Sequence, residues 1–147
     1  MGIMIRPDLI SEDREGSRLL VVEVKDSIAE RDRDFFMEQL RSYAASRGKP
    51  KTIYYVLVDS DWMRFYEEDL PRPRFLREFR TREILRPYIG VDYEGNMSEF
   101  LMAGMTMAWL RDLAIHWKES SPPGSGELEP DIMDLLNKAG VQVESIP

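Results

Sequence analysis

Along the first half of the chain the spacing of apolar residues changes from period two to period 3.6 and back. Leu19, Leu20, Val21 and Val22 form an unbroken apolar run, after which Glu23 and Lys25 flank Val24. A run buried on both sides that ends in charge predicts an interior strand over residues 18–25. Residues 3–10 (IMIRPDLI) predict a shorter strand interrupted at Pro7, and SEDREG between the two predicts a polar turn closed by Gly16. The two strands are close enough to pair as a hairpin. Over residues 28–47, Phe36, Leu40, Tyr43 and Ala44 recur at spacings of three and four, which predicts a helix with Asp26 or Ser27 as its cap and Gly48 and Pro50 as its stop. Residues 52–60 (TIYYVLVDS) are β-branched and aromatic enough for a central strand, and DWMRFYEE alternates as its neighbour. The order strand, strand, helix, strand, strand is an α/β signature.

The second half reads as more helical. Thr81 is placed to cap a short helix over residues 81–89, and Asn96 with Glu99 resembles a capping box opening a helix over residues 97–118. Between Phe100 and Leu110 that helix carries no charge and is apolar almost all round, so it is expected either to be buried on more than one side or to press against a second copy. A homodimer contact through this helix is the favoured reading. Residues 119–130 (ESSPPGSGELEP) have the composition of a flexible linker. Beyond them, residues 131–139 predict a short helix ended by Gly140, and Val141, Val143 and Ile146 alternate like an edge strand. The expected organisation is one domain over residues 1–118, a linker, and a helix–strand extension over residues 131–147, with no internal repeat.

Composition narrows the chemistry. A chain of 147 residues with 43% apolar content is the size of one globular domain, with room for one core and one site. No stretch approaches the roughly 18 apolar residues of a membrane span and the first residues lack a signal-peptide layout, so a cytoplasmic protein without a membrane partner is expected. The chain has no cysteine, which removes disulfides, thiol nucleophiles and thiolate metal sites. With His116 as the single histidine, a zinc site of the usual kind is disfavoured, and a hard cation held by carboxylates is the remaining metal option. A net charge of -7 argues against broad adhesion to nucleic acid. One segment runs the other way: Arg72, Arg74, Arg77, Arg80, Arg82 and Arg86 face only Glu78 and Glu83, a local charge of +4 and a candidate nucleic-acid contact.

Residues two apart on a strand share a face, so Glu23 and Lys25 lie side by side at the strand's end, and a paired preceding strand brings Asp8 to the same place. Two carboxylates and a lysine there suit a magnesium ion held by oxygen, a water made acidic by that ion, and an ammonium that orients the water and steadies developing charge. A phosphodiester is the substrate that fits such a site best.

Pro7-Asp8, then Glu23-Val24-Lys25, then Gln39 on the following helix resemble the PD-(D/E)XK nuclease superfamily, over roughly residues 3–66. The resemblance implies a restriction-endonuclease-like fold, a mixed β-sheet core flanked by helices, here with a helical C-terminal half. It implies Mg2+ or Mn2+ held by Asp8, Glu23 and the backbone carbonyl of Val24, with Lys25 assisting the attacking water. Gln39-Leu40-Arg41-Ser42-Tyr43 also resembles the Gln-x-x-x-Tyr element of the RecB-like branch, which implies Gln39 and Tyr43 beside the site. The segment from residue 55 to residue 66 is similar to a strand pair in the amino-terminal nuclease domains of type I restriction subunits.

Each of these residues also has a plainer reading. Asp8 would simply end a turn, Glu23 and Lys25 would be an ion pair where the strand emerges, and Gln39 and Tyr43 would be a boundary and a core position. His116 reads better as a packed or capping residue than as a base, and the arginine segment as a salt-bridged surface. No Gly-x-Ser-x-Gly, Walker or dinucleotide glycine pattern is present. The functional expectation is a magnesium-dependent nuclease hydrolysing DNA; the alternative is an inactive nuclease-fold module acting in protein assembly or nucleic-acid binding.

Overall fold

A computed structural model describes residues 6–48, 50–89, 95 and 97–143 of the chain. Its first turn is built by one carboxylate. Asp13 accepts hydrogen bonds from Ser17 N and Ser17 Oγ, each at 2.7 Å, and from Arg18 N at 3.2 Å, while Gly16 takes the positive φ of 68° that the turn needs. The turn joins β1 (Leu9–Glu12) to β2 (Arg18–Val24) in antiparallel register, with Leu9 opposite Val22 and Glu12 opposite Leu19.

From β2 the chain crosses through α1 (Arg33–Ser46) to β3 (Thr52–Val58), which runs parallel to β2. A parallel neighbour requires such a crossover. β4 (Trp62–Glu67) and β5 (Arg74–Arg80) then add antiparallel strands on one side, and β6 (Gln142–Val143) pairs with β1 on the other. The sheet order is β5-β4-β3-β2-β1-β6. With α2 (Thr81–Ile89), α3 (Glu99–Ile115) and α4 (Pro130–Ala139), the described residues form a mixed α/β architecture of six strands and four helices.

Alternation along β2 and β3 divides the interior into two layers. Leu20, Val22, Val24, Val56 and Val58 point to the side covered by Trp109 and Leu110 of α3 and Leu135 and Leu136 of α4. Leu19, Val21, Tyr55 and Leu57 point to the side covered by Met37, Leu40, Tyr43 and Ala44 of α1. β2 is therefore buried on both faces, as its apolar run predicts. Trp109 is the largest anchor of the first layer, edge-on to Phe65 and Phe79 at 6.2 Å each, with its Nε1 donating to Pro123 O at 2.7 Å. Asp112, fully buried one turn further along α3, accepts from Tyr88 Oη at 2.6 Å and Lys118 N at 2.9 Å, so it joins α2 to the segment after α3.

Several expectations shift in position. The helix expected from residue 28 starts at Arg33, after a short 3-10 turn at Glu30–Asp32, because Ile28 is buried and its N–H is held by Asp59 Oδ2 at 3.1 Å. Ser98, whose Oγ accepts from Leu101 N at 3.1 Å, caps α3; the proposed cap at Asn96 lies outside the described residues. At its other end α3 stops at His116, which adopts a left-handed φ of 51° and donates its N–H to Asp112 O, the capping role read for it. The first strand begins at Leu9, and residues 1–5 and Ile146 lie outside the described residues. The second half is helical only in part, since it also contributes β5 and β6. β5 escapes pattern reading because its arginines mask the apolar positions Phe75, Leu76 and Phe79; charge is the ordinary protection of an edge strand.

Residues 119–129 lie against α3 and β5: Gly124 has no room beyond van der Waals contact with Phe79 and Trp109, and Leu128 is buried. α4 continues the same apolar layer, and β6 continues the sheet. No described helix is long and apolar enough to cross a membrane.

Truncation of the central anchor measures how far this layer holds the fold. Trp109→Ala is expected to cost about 3–5 kcal/mol of stability, read from the urea midpoint at unchanged slope. A loss too small to resolve would mean that α3 is not fastened to the sheet through this ring.

Candidate active site

The hairpin register ends with Leu9 opposite Val22, and Asp8, the residue just before Leu9, is placed beside the end of β2. Asp8 N donates to Val22 O at 2.9 Å, and Asp8 Oδ2 accepts from Val24 N at 2.7 Å, so the aspartate closes the end of the hairpin with both backbone and side chain. Glu23 is the only charged side chain on β2 that the sheet buries so deeply, at 3% exposure. It shares a layer with Leu19 and Val21, under α1.

Burial, then the hydrogen bond to Asp8, then the negative charge of Asp8 together push the Glu23 carboxyl up to about 9 from an ordinary 4.5. The Lys25 ammonium and the Val24 N–H oppose this without overcoming it. Near neutral pH the Glu23 carboxyl is thus held protonated beside Asp8. Lys25 follows on the same face, with its N–H bound to Val58 O at 2.9 Å and its Nζ 5.7 Å from the centre of the Phe36 ring on the first turn of α1. That ring restrains the ammonium beside the carboxyl pair.

The loop framing this end is set by Asp59, buried after β3. Its carboxylate accepts from Ile28 N at 3.1 Å and from Asp61 N and Trp62 N at 2.8 Å each, and its carbonyl accepts from Thr81 Oγ1 at 2.7 Å. With those bonds Asp59 is a fastening of the loops after β2 and β3. Spacing marks Phe36 only as an apolar helix position and does not mark Asp59; an acid directly after a buried strand in VDSDW is the one signal for the latter.

Gln39 is half-buried on α1, one turn beyond Phe36. Tyr43, a further turn along, is buried in the layer under α1, with the Arg47 guanidinium 5.8 Å from its ring; Arg47 pairs with Glu12 at the opposite end of β1 from Asp8. Asp8, Glu23 and Lys25 are brought together, Gln39 is on the covering helix, and Tyr43 lies toward the far end. Val24 turns its side chain to the other layer and offers its N–H to Asp8.

The six arginines do not form one surface. Arg74 and Arg77 pair with Glu67 at 2.8 Å and Glu129 at 3.0 Å, on the face away from Glu23. Arg82 donates to Gly95 O, and Arg86 is exposed on α2. Arg72 and Arg80 are on the α1 side. Register aligns Glu23 with Leu57, Leu57 with Arg64 and Arg64 with Glu78, and at the next step toward the strand ends Trp62 with Arg80. The Arg80 and Arg64 guanidinium carbons lie 4.6 Å and 5.8 Å from the Trp62 ring centre, and Arg64 pairs with Glu78 at 3.2 Å.

No protein-family model matches the chain, and no curated protein or solved structure matches it.

The donor set is two carboxylates; among the described residues no group of three or more histidine, cysteine, aspartate or glutamate side chains is placed to hold a metal ion. Such a set does not fit zinc in an all-protein cage. It fits magnesium, which is commonly held by one or two carboxylates while keeping several waters.

The raised Glu23 carboxyl predicts a pH effect on stability in chelator. The folded state binds a proton that the unfolded state releases above 4.5, so stability is full below that value and falls as pH rises toward about 9. The melting temperature should drop across this window, and Glu23→Gln should flatten the drop. A wild-type profile as flat as the variant's would rule out a proton held on Glu23.

Proposed function

We propose that the chain is a magnesium-dependent nuclease that hydrolyses DNA phosphodiester bonds, on a restriction-endonuclease-like fold. The observation that carries the reading is the convergence of Asp8, Glu23 and Lys25: two adjoining strands deliver two carboxyl groups and an ammonium to one corner, and burial keeps the carboxyl pair short of one positive charge. In this reading Asp8 and Glu23 hold Mg2+ or Mn2+, with the Val24 carbonyl as a further oxygen donor. When bound, the ion supplies a water acidic enough to attack near neutral pH and offsets charge on the phosphodiester.

The chain's own residues supply the rest. Lys25, steadied over Phe36, orients the attacking water and stabilises charge that develops on the phosphate oxygens. Gln39, on the covering helix, supports the same corner. The apolar strands beneath keep the carboxyl pair poorly solvated, which strengthens its attraction for a divalent cation relative to that of exposed carboxylates.

Two measurements test this. Calorimetric titration with magnesium should show millimolar or tighter binding that Glu23→Gln abolishes, and affinity should rise with pH as the Glu23 proton is displaced. Cleavage of plasmid and single-stranded DNA with magnesium should fall about 10²- to 10³-fold in Lys25→Ala with folding intact. Absence of both metal binding and cleavage in the folded wild type would sink the nuclease reading.

A second reading, an inactive nuclease-fold module that assembles through the 97–118 helix as a homodimer, is favoured by one feature. Phe100 on α3 is 84% exposed, beside an apolar groove formed with Ala103, Gly104, Met107 and Val143. Sedimentation should then give a dimer that Phe100→Asp converts to a monomer; a wild-type monomer at micromolar concentration would remove this reading.

A further inference from the structure

The α1 side of the sheet places several arginines near the carboxyl pair, in a chain whose net charge is -7. Arg64 and Arg80 surround Trp62 at the same end of the sheet as Glu23 and Lys25. Arg64 stands two strands from Glu23, roughly 10 Å at ordinary strand spacing. Glu78 offsets Arg64, whereas Arg80 has no carboxylate partner among the described residues and rests on the Trp62 ring. A guanidinium held on an aromatic ring is ordered in advance and keeps its donors for a ligand.

Along the same face, a cleft of about 310 Å³ separates the first turn of α1 from β4 and the start of β5. Its walls include Arg33, Arg72 and Tyr66, with Met37 at its base and the exposed acids Glu30 and Asp34 on its rim. The Arg33 Nε is buried there and meets no hydrogen-bond acceptor among the described residues. An orphaned guanidinium nitrogen is costly, and an anionic oxygen entering the cleft would satisfy it.

We propose that Arg80 on Trp62 and the cleft of Arg33 and Arg72 form a track for the phosphate backbone of a nucleic-acid strand whose reacting phosphodiester lies at Asp8, Glu23 and Lys25. This rests on the nuclease reading above and assigns it a direction: the strand runs past the ends of β2 and β3 and the start of β4 toward the first turn of α1, away from the β6 edge. Arg74 and Arg77, on the opposite face and already paired, take no part.

The probe is a short fluorescein-labelled DNA oligonucleotide, single-stranded and as a duplex, followed by anisotropy in chelator over a range of salt. Arg80→Ala and Arg33→Ala should each weaken binding about tenfold and lower the salt slope by about 1, with Arg80→Lys between Ala and wild type. Arg74→Ala should bind as wild type does. Should Arg33→Ala fail to fold, the exposed pair Arg72→Ala and Arg80→Ala carries the same test. Absence of binding in wild type, or a loss in Arg74→Ala equal to that in Arg80→Ala, overturns the track. If binding follows the arginines yet no magnesium-dependent cleavage is found, the track stands and the nuclease reading falls.

Discussion

The contact between Asp8 and Glu23 is the constraint around which the molecule is arranged. Two carboxyl groups meet because the Asp13 turn sets the β1–β2 register, and one of them is 3% exposed because β2 is the strand covered on both faces. A pair of like charges in so dry a place is unstable unless a proton or a cation is shared. The end of β2 is accordingly a place where positive charge is required.

The surroundings hold this pair rather than dilute it. Asp59 ties the loops after β2 and β3 through three backbone N–H groups, and Phe36 holds the Lys25 ammonium in place. On the far side, Trp109 and Asp112 lock α3 to the sheet, to α2 and to the segment that follows. A catalytic or binding corner needs such support, since small displacements of its groups weaken every interaction made there.

Charge is distributed by face. β5 alternates its arginines between the two sides of the sheet: Arg74 and Arg77 go to carboxylates on the α3 and α4 side, Arg80 to Trp62 on the α1 side. Arg80 is thereby the arginine of β5 left without a carboxylate partner among the described residues, and on the proposed nuclease reading it is available to an anionic strand.

The period of the apolar residues by itself determined β2, α1, β3, β4 and the last helix, because each carries a continuous apolar face, the buried charges Glu23 on β2 and Arg64 on β4 both lying on the α1 side. The same alternation, with the hairpin, put Asp8, Glu23 and Lys25 in one place; nearest-neighbour geometry suffices for that. What only the tertiary structure decided depends on residues distant in sequence. β5 is a strand because β4 offers it an edge and α3 gives Phe79 a partner in Trp109, whereas its own pattern is hidden by arginines. The helix over residues 97–118 is apolar almost all round, which in the sequence leaves burial open beside the favoured self-association; in the fold much of that surface meets the sheet, α2 and α4. The Glu23 carboxyl is raised by dehydration, a property of how many layers cover a strand end, and no triplet of residues carries that information.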